Sequence, residues 1–207
     1  MLLPNFLRTV FNLNKSLTWI PFLSITFFFS FLTVAGLFYK SSKTTGALLI
    51  KELRIKKIKL FDIAIIISST IAILVLTIVF QSLPIGVLFS KFSFISPEPI
   101  FGKVNKTVII MTIIFFPLAT IAEEIFWRGY LLPLQEKHFG KMGWIINGFL
   151  WAMSHILTHN PLRLLITSFG IAFVGTKFKN TSVTILIHLL INSITLNKLV
   201  TSYLSQI

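Results

Sequence analysis

Long apolar runs separated by short polar or basic stretches dominate the chain and predict its secondary structure. The runs cover residues 17–39, 61–83, a third that begins near 107, 144–157, 162–176 and 183–196. The first contains 23 residues, more than the roughly 20 that a helix needs to cross a bilayer core. It is also longer than the apolar part of a cleaved signal peptide, about 7–15 residues. The pattern therefore predicts an all-α, polytopic transmembrane bundle of about six spans.

Composition supports a membrane protein and excludes several other classes. Hydrophobic residues make up 55% of the 207 residues and charged residues only 12%, whereas a soluble domain has about 25% charged residues. The net charge of +13 comes from Lys and Arg between the apolar runs, which indicates contact with anionic lipid rather than with nucleic acid. The chain contains no cysteine, which excludes disulfides, thiolate metal ligands and a cysteine nucleophile.

The distribution of basic residues predicts the orientation and the domain organisation. The segment 40–60 is strongly basic, so we expect it in the cytoplasm, together with the segments near 128–142 and 177–180. We divide the chain into an amino-terminal region, 1–106, with two spans, and a core, 107–197, with four. The richness in Phe, Ile, Asn and Lys is compatible with a bacterial cell membrane.

A few ionisable groups interrupt the later apolar runs. Glu123, Glu124 and Arg128 follow the apolar part of the third run, and His155 and His188 lie in the fourth and the sixth. Such groups are costly at membrane depth and usually face a protein interior or a wet cavity where they have a function. Glu124 and Arg128 are four apart and can pair on one helix face. Glu123, about 100° around the helix, is left free to act as a general base.

The spacing of these groups predicts that two of them meet. If the third helix continues to about residue 137, it descends about 21 Å from Glu123, and the next helix climbs about 20 Å from Met142 to His155. Glu123 and His155 then return to one level on antiparallel neighbours. His188 and Asn192 are four apart on the sixth helix, where an imidazole and a carboxamide are suitable donors to an oxyanion. Together these groups predict hydrolysis of an acyl bond such as a peptide bond.

With these residues in place, the chain resembles the CAAX protease and bacteriocin-processing family of intramembrane proteases. Its motif Glu-Glu-x-x-x-Arg is matched by Glu123, Glu124 and Arg128, and its motif His-x-x-x-Asn by His188 and Asn192. The motif Phe-x-x-x-His is matched at His155, but Trp151 stands in place of the phenylalanine. The resemblance covers roughly residues 109–192.

The resemblance implies a role for each matched residue. Glu123, with His155, would activate the attacking water, and His188 with Asn192 would form the oxyanion site. Glu124 and Arg128 would shape and orient the first motif. Zinc held by Glu123, His155 and His188 stays open as an alternative, although the His-Glu-x-x-His motif of zinc proteases is absent, and we favour a mechanism without obligatory metal. The implied substrate is a peptide or protein at the membrane.

Other functions remain open from the sequence alone. Each polar group by itself is compatible with a structural ion pair or an interhelical hydrogen bond. A non-enzymatic immunity protein that binds a bacteriocin or its receptor would need no catalytic residues, whereas a peptidase could serve bacteriocin self-immunity or peptide processing. A small transporter would use the same groups as a proton relay, but we find no inverted repeat. Asp62 is the only aspartate, so an aspartyl protease is excluded.

Overall fold

The computed structural model describes residues 50–84, 86, 106–155 and 161–204, and within these ranges it contains helices and no strand. The elements are α1 (Leu60–Ser82), α2 (Lys106–Glu124), a π-helical turn (Ile125–Leu131), α3 (Leu132–Phe139), a 3-10 turn (Gly140–Met142), α4 (Gly143–His155), α5 (Pro161–Phe178) and α6 (Thr181–Leu204). The all-α prediction is confirmed for this part of the chain. The predicted first span, 17–39, lies outside the described residues.

Two of the described helices, α1 and α5, are long and apolar enough to cross a membrane by length and composition. The bundle of six spans therefore stays a prediction.

The apolar core lies between α1, α5 and α6. Its buried side chains are Ile65, Ile66, Ile73, Ile171, Val174, Val183, Ile187 and Ile191. A Cβ atom on Gly170 would lie 2.6 Å from Cγ1 of Ile73, so only glycine lets α1 approach α5 this closely. The outward side of α1 exposes Leu60, Phe61, Ile67 and Ile71, as expected of a helix that faces lipid.

The first motif lies in one continuous helical segment formed by α2, the π-helical turn and α3. Pro117 is inside α2, where it removes one backbone donor without ending the helix. The segment ends at Phe139, and Gly140 has a φ of 54°, a conformation that glycine adopts readily. The expected connection near 128–142 is thus helical up to residue 139. Arg128 belongs to the buried interior and not to a cytoplasmic loop.

Leu53 and Arg54, in the basic segment before α1, contact the ends of two other helices. The hydroxyl of Thr181 donates to the carbonyl of Leu53 at 2.6 Å, and its backbone N–H donates to the carbonyl of Arg54 at 2.9 Å. The Arg54 guanidinium forms an ion pair with Glu136 at 2.7 Å. The basic segment, the end of α3 and the start of α6 therefore meet at one end of the bundle. Its placement in the cytoplasm stays a prediction.

Candidate active site

A fully buried ion pair connects the two charged ends of the first motif. Arg128 Nη1 donates to Glu124 Oε1 at 2.7 Å, and neither side chain is exposed. Arg128 Nη2 also makes a longer contact, 3.4 Å, with the carbonyl of Ser168 on α5. A charge-assisted bond of this length is strong in an interior, and each charge is buried only because its partner is present. The pair fixes the π-helical turn against α5.

His188 approaches the same carboxylate from α6. Its Nδ1 lies 2.9 Å from Glu124 Oε1, and both side chains are almost completely buried. A carboxylate can only accept, so the hydrogen-bond pattern assigns a proton to Nδ1. The other ring nitrogen, Nε2, is then an acceptor in the neutral ring and a donor in the imidazolium. Glu124 thus orients His188 as well as neutralising Arg128, a second contact that the sequence analysis did not predict.

Glu123 points away from Glu124 and meets His155 of α4. The distance from Glu123 Oε1 to His155 Nε2 is 3.5 Å, in agreement with the level match calculated from the helix lengths. Consecutive residues on a helix diverge by about 100°, which is why adjacent carboxylates reach different helices. These two side chains are 17% and 24% exposed, against 0% for Glu124. We call Glu123, Glu124, Arg128, His155 and His188 the charged cluster. Within it, Glu123 and His155 are the side chains that are open to a reactant.

His155 is oriented from its other side by its own helix. Its Nδ1 lies 3.1 Å from the carbonyl of Trp151 and 2.9 Å from the hydroxyl of Ser154. A proton on Nδ1 that is shared with the carbonyl leaves Nε2 of a neutral ring as an acceptor for a water molecule, whereas an imidazolium donates from Nε2 toward the Glu123 carboxylate.

Trp151 lies at the centre of the cluster and contacts three of its members. Its ring centroid is 4.5 Å from that of His155 and 5.4 Å from that of His188. The Arg128 guanidinium carbon is 5.3 Å from the same indole ring, within the range of a cation–π interaction. The aromatic position of the second motif therefore packs between the two imidazoles and the buried cation.

Asn192 is positioned by a hydroxyl on α2. Its Nδ2 donates to Oγ1 of Thr120 at 3.0 Å, which uses one of the two amide hydrogens. Thr120 itself donates to the carbonyl of Phe116, one turn earlier. Asn192 follows His188 by one helical turn, so both project from the same side of α6.

A buried amide network that was not predicted from the sequence lies beside the first motif. The Nδ2 atom of Asn147 donates to the carbonyl of Trp127 at 2.9 Å and to Oε1 of Gln135 at 2.8 Å. Asn147 is completely buried. The available signal was its spacing, since Asn147 precedes Trp151 by four residues and His155 by eight within an apolar run.

A metal ion would need three side-chain ligands directed at one point. Among the described residues, no group of three His, Asp, Glu or Cys side chains is arranged to hold one. Nδ1 of His188 is bound to Glu124, which leaves Nε2 as the ring nitrogen that could face a ligand. Glu123, His155 and His188 are thus not gathered into a three-ligand group in this structure, and the zinc alternative stays a prediction.

Comparisons with known proteins agree with the motifs. Residues 105–194 match the family described as type II CAAX prenyl endopeptidase Rce1-like. The matched segment contains all the residues that the sequence analysis assigned to the site, from Glu123 to Asn192. No curated protein and no solved structure matches the chain.

Proposed function

We propose that this chain, whose residues 105–194 match the type II CAAX prenyl endopeptidase family, is an intramembrane endopeptidase that uses Glu123 and His155 to activate water. One observation carries the proposal. An accessible carboxylate–imidazole pair, 3.5 Å apart, lies beside a buried cluster of Glu124, Arg128 and His188. Three helical segments supply these groups, as a preorganised site requires.

Water activation is assigned to the accessible pair. Glu123 Oε1 and His155 Nε2 are close enough to bind one water molecule jointly, although 3.5 Å is long for a direct hydrogen bond. The carboxylate takes a proton from that water while the oxygen attacks the carbonyl carbon of the scissile peptide bond. When the carbon–nitrogen bond breaks, the same proton moves to the leaving amine. The products are a carboxylic acid and an amine, and Glu123 returns to its starting state.

We assign to His188 and Asn192 the stabilisation of the negative charge that develops on the carbonyl oxygen. Glu124 orients the imidazole through Nδ1, so Nε2 is the ring atom that remains to face the substrate. It donates to an oxyanion only as an imidazolium. Asn192, held through one amide hydrogen by Thr120, has a second amide hydrogen to donate. Donors of this kind, fixed before the reaction, stabilise the transition state without reorganising.

The catalytic proposal is tested with purified protein and an internally quenched CAAX peptide, supplied in farnesylated and unmodified forms. We expect wild type to cleave at least one form, and the matched variants Glu123→Gln and His155→Ala each to lower kcat by at least about 100-fold. Mass spectrometry of the products identifies the cleaved bond. A Glu123→Gln variant that cleaves at the wild-type rate would refute general-base catalysis by Glu123.

The biological setting that we propose is a bacterial cell membrane, where the peptidase processes a peptide or protects its producer from a bacteriocin. The motif resemblance supports this setting. Protection is measured in a sensitive strain that expresses wild type or Glu123→Gln at matched levels. Protection by wild type alone supports proteolytic immunity. Equal protection by both would favour a non-enzymatic protein that binds the bacteriocin or its receptor.

A further inference from the structure

The first motif includes an unusual stretch of backbone that needs support from outside its own helix. Residues Ile125–Leu131 form a π-helical turn, and the N–H of Leu132 donates to the carbonyl of Trp127, five residues earlier. Such turns are rare and occur frequently at functional sites. One additional residue in a turn rotates the following side chains by about 100°. The π-helical turn therefore decides how Arg128 is directed relative to the carboxylates that precede it.

The side chain of Asn147 contacts the backbone of this turn. Its Nδ2 donates to the Trp127 carbonyl at 2.9 Å, the same oxygen that accepts from Leu132. The other donation, at 2.8 Å, goes to Oε1 of Gln135 on α3. One fully buried amide thus connects the π-helical turn to α3.

The position of Asn147 on α4 connects it to the proposed chemistry. Asn147, Trp151 and His155 follow one another at intervals of four and share one face of the helix. Asn147 contacts the turn's backbone, Trp151 lies against the Arg128 guanidinium at 5.3 Å, and His155 lies 3.5 Å from Glu123. One face of α4 therefore contacts the first motif at three successive levels.

We infer that Asn147 is a positioning residue, which fixes the π-helical turn so that Glu123 meets His155 while Arg128 stays on Glu124. The inference rests on the proposed peptidase function. Asparagine suits the position because a single short amide supplies two hydrogens to two buried acceptors. Leucine at the same position has a similar size and supplies none.

The test compares two variants that both break the Asn147–Gln135 hydrogen bond. Asn147→Leu also removes the bond to the Trp127 carbonyl, whereas Gln135→Leu leaves it in place. With the quenched CAAX peptides, we expect kcat of Asn147→Leu to fall about 100-fold, the cost of a displacement of about 1 Å at a reacting group. KM should change less than about threefold, and Gln135→Leu should keep kcat within about threefold of wild type.

Hydrogen exchange supplies a second measurement that does not depend on activity. The amide of Leu132, which donates to Trp127, should exchange faster in Asn147→Leu than in Gln135→Leu by about tenfold or more. Equal exchange in the two variants, or a kcat for Asn147→Leu within threefold of that for Gln135→Leu, would overturn the inference.

Two further outcomes are covered by the design. If wild type cleaves neither peptide, the proposed function fails, while the exchange measurement still decides whether Asn147 fixes the turn. If Asn147→Leu does not fold, Asn147→Gln keeps the amide and displaces it by one methylene. We expect about a tenfold lower kcat in that variant at unchanged KM, and wild-type kcat would count against the positioning role.

Discussion

Exchanging each of the two adjacent carboxylates for its amide should separate a residue that supports the fold from one that supports the chemistry. Glu124 accepts from Arg128 at 2.7 Å and contacts His188 at 2.9 Å, with no exposed side-chain surface. Glu124→Gln leaves the Arg128 cation buried without its counter-charge, which destabilises by about 3–5 kcal/mol. Glu123→Gln alters a partly exposed pair at 3.5 Å, where the loss is at most about 1 kcal/mol.

The difference is large enough to measure by thermal unfolding in detergent. One kcal/mol shifts Tm by about 2–4 °C in a chain of this size, so Glu124→Gln should lower Tm by about 6–20 °C and Glu123→Gln by about 4 °C at most. Both variants should lose peptide cleavage. In the double variant Glu124→Gln/Arg128→Met, which removes the unpaired cation, Tm should recover toward wild type. Equal Tm losses in the two single variants would refute the division between a buried and an accessible carboxylate.

Three further predictions concern a buried hydroxyl, the aromatic ring between the imidazoles and the need for a metal ion. Thr181→Val removes the buried hydroxyl that donates to the Leu53 carbonyl and should lower the free energy of unfolding by about 1–3 kcal/mol. Denaturant titration measures the loss, and Thr201→Val, a change at an exposed threonine, is the control. Trp151→Phe keeps an aromatic ring between the imidazoles, so kcat should stay within about threefold of wild type, whereas Trp151→Ala should lose about 3–5 kcal/mol of stability. Because no three-ligand set is present among the described residues, dialysis against a chelator should leave peptide cleavage unchanged; loss of cleavage that zinc restores would contradict the metal-free mechanism.

The sequence predicted the helices because long apolar runs admit few alternatives. The run 61–83 became α1, Leu60–Ser82, and the run 162–176 became α5, Pro161–Phe178. The facing levels of Glu123 and His155 could be calculated because helical rise is fixed at about 1.5 Å per residue. That calculation needed only one short turn between two helices.

Other features depend on contacts that no local pattern encodes. The π-helical turn has no distinctive sequence, and its support comes from Asn147 on a different helix. The contact between Thr181 and Leu53 joins residues 128 positions apart. The approach of His188 to Glu124 depends on how α6 packs beside α2, since spacing within each helix fixes a face but not its neighbour.

The division of these charged side chains into a buried and an accessible part also bears on charge balance in the proposed reaction. Glu123 and Glu124, when ionised, carry two negative charges against one on Arg128, so one protonated imidazole neutralises the cluster. Proton transfer from water to Glu123 moves a negative charge onto the carbonyl oxygen without changing the total. In the proposed reaction, an imidazolium at His188, whose Nδ1 is held by Glu124, donates from Nε2 to the oxyanion, a partner that exists only after the attack. A positive charge that is fixed in place and better matched to the transition state than to the ground state is what lowers a barrier. In this proposal the buried Glu124 contributes by holding Nδ1 of the ring, without itself exchanging a proton.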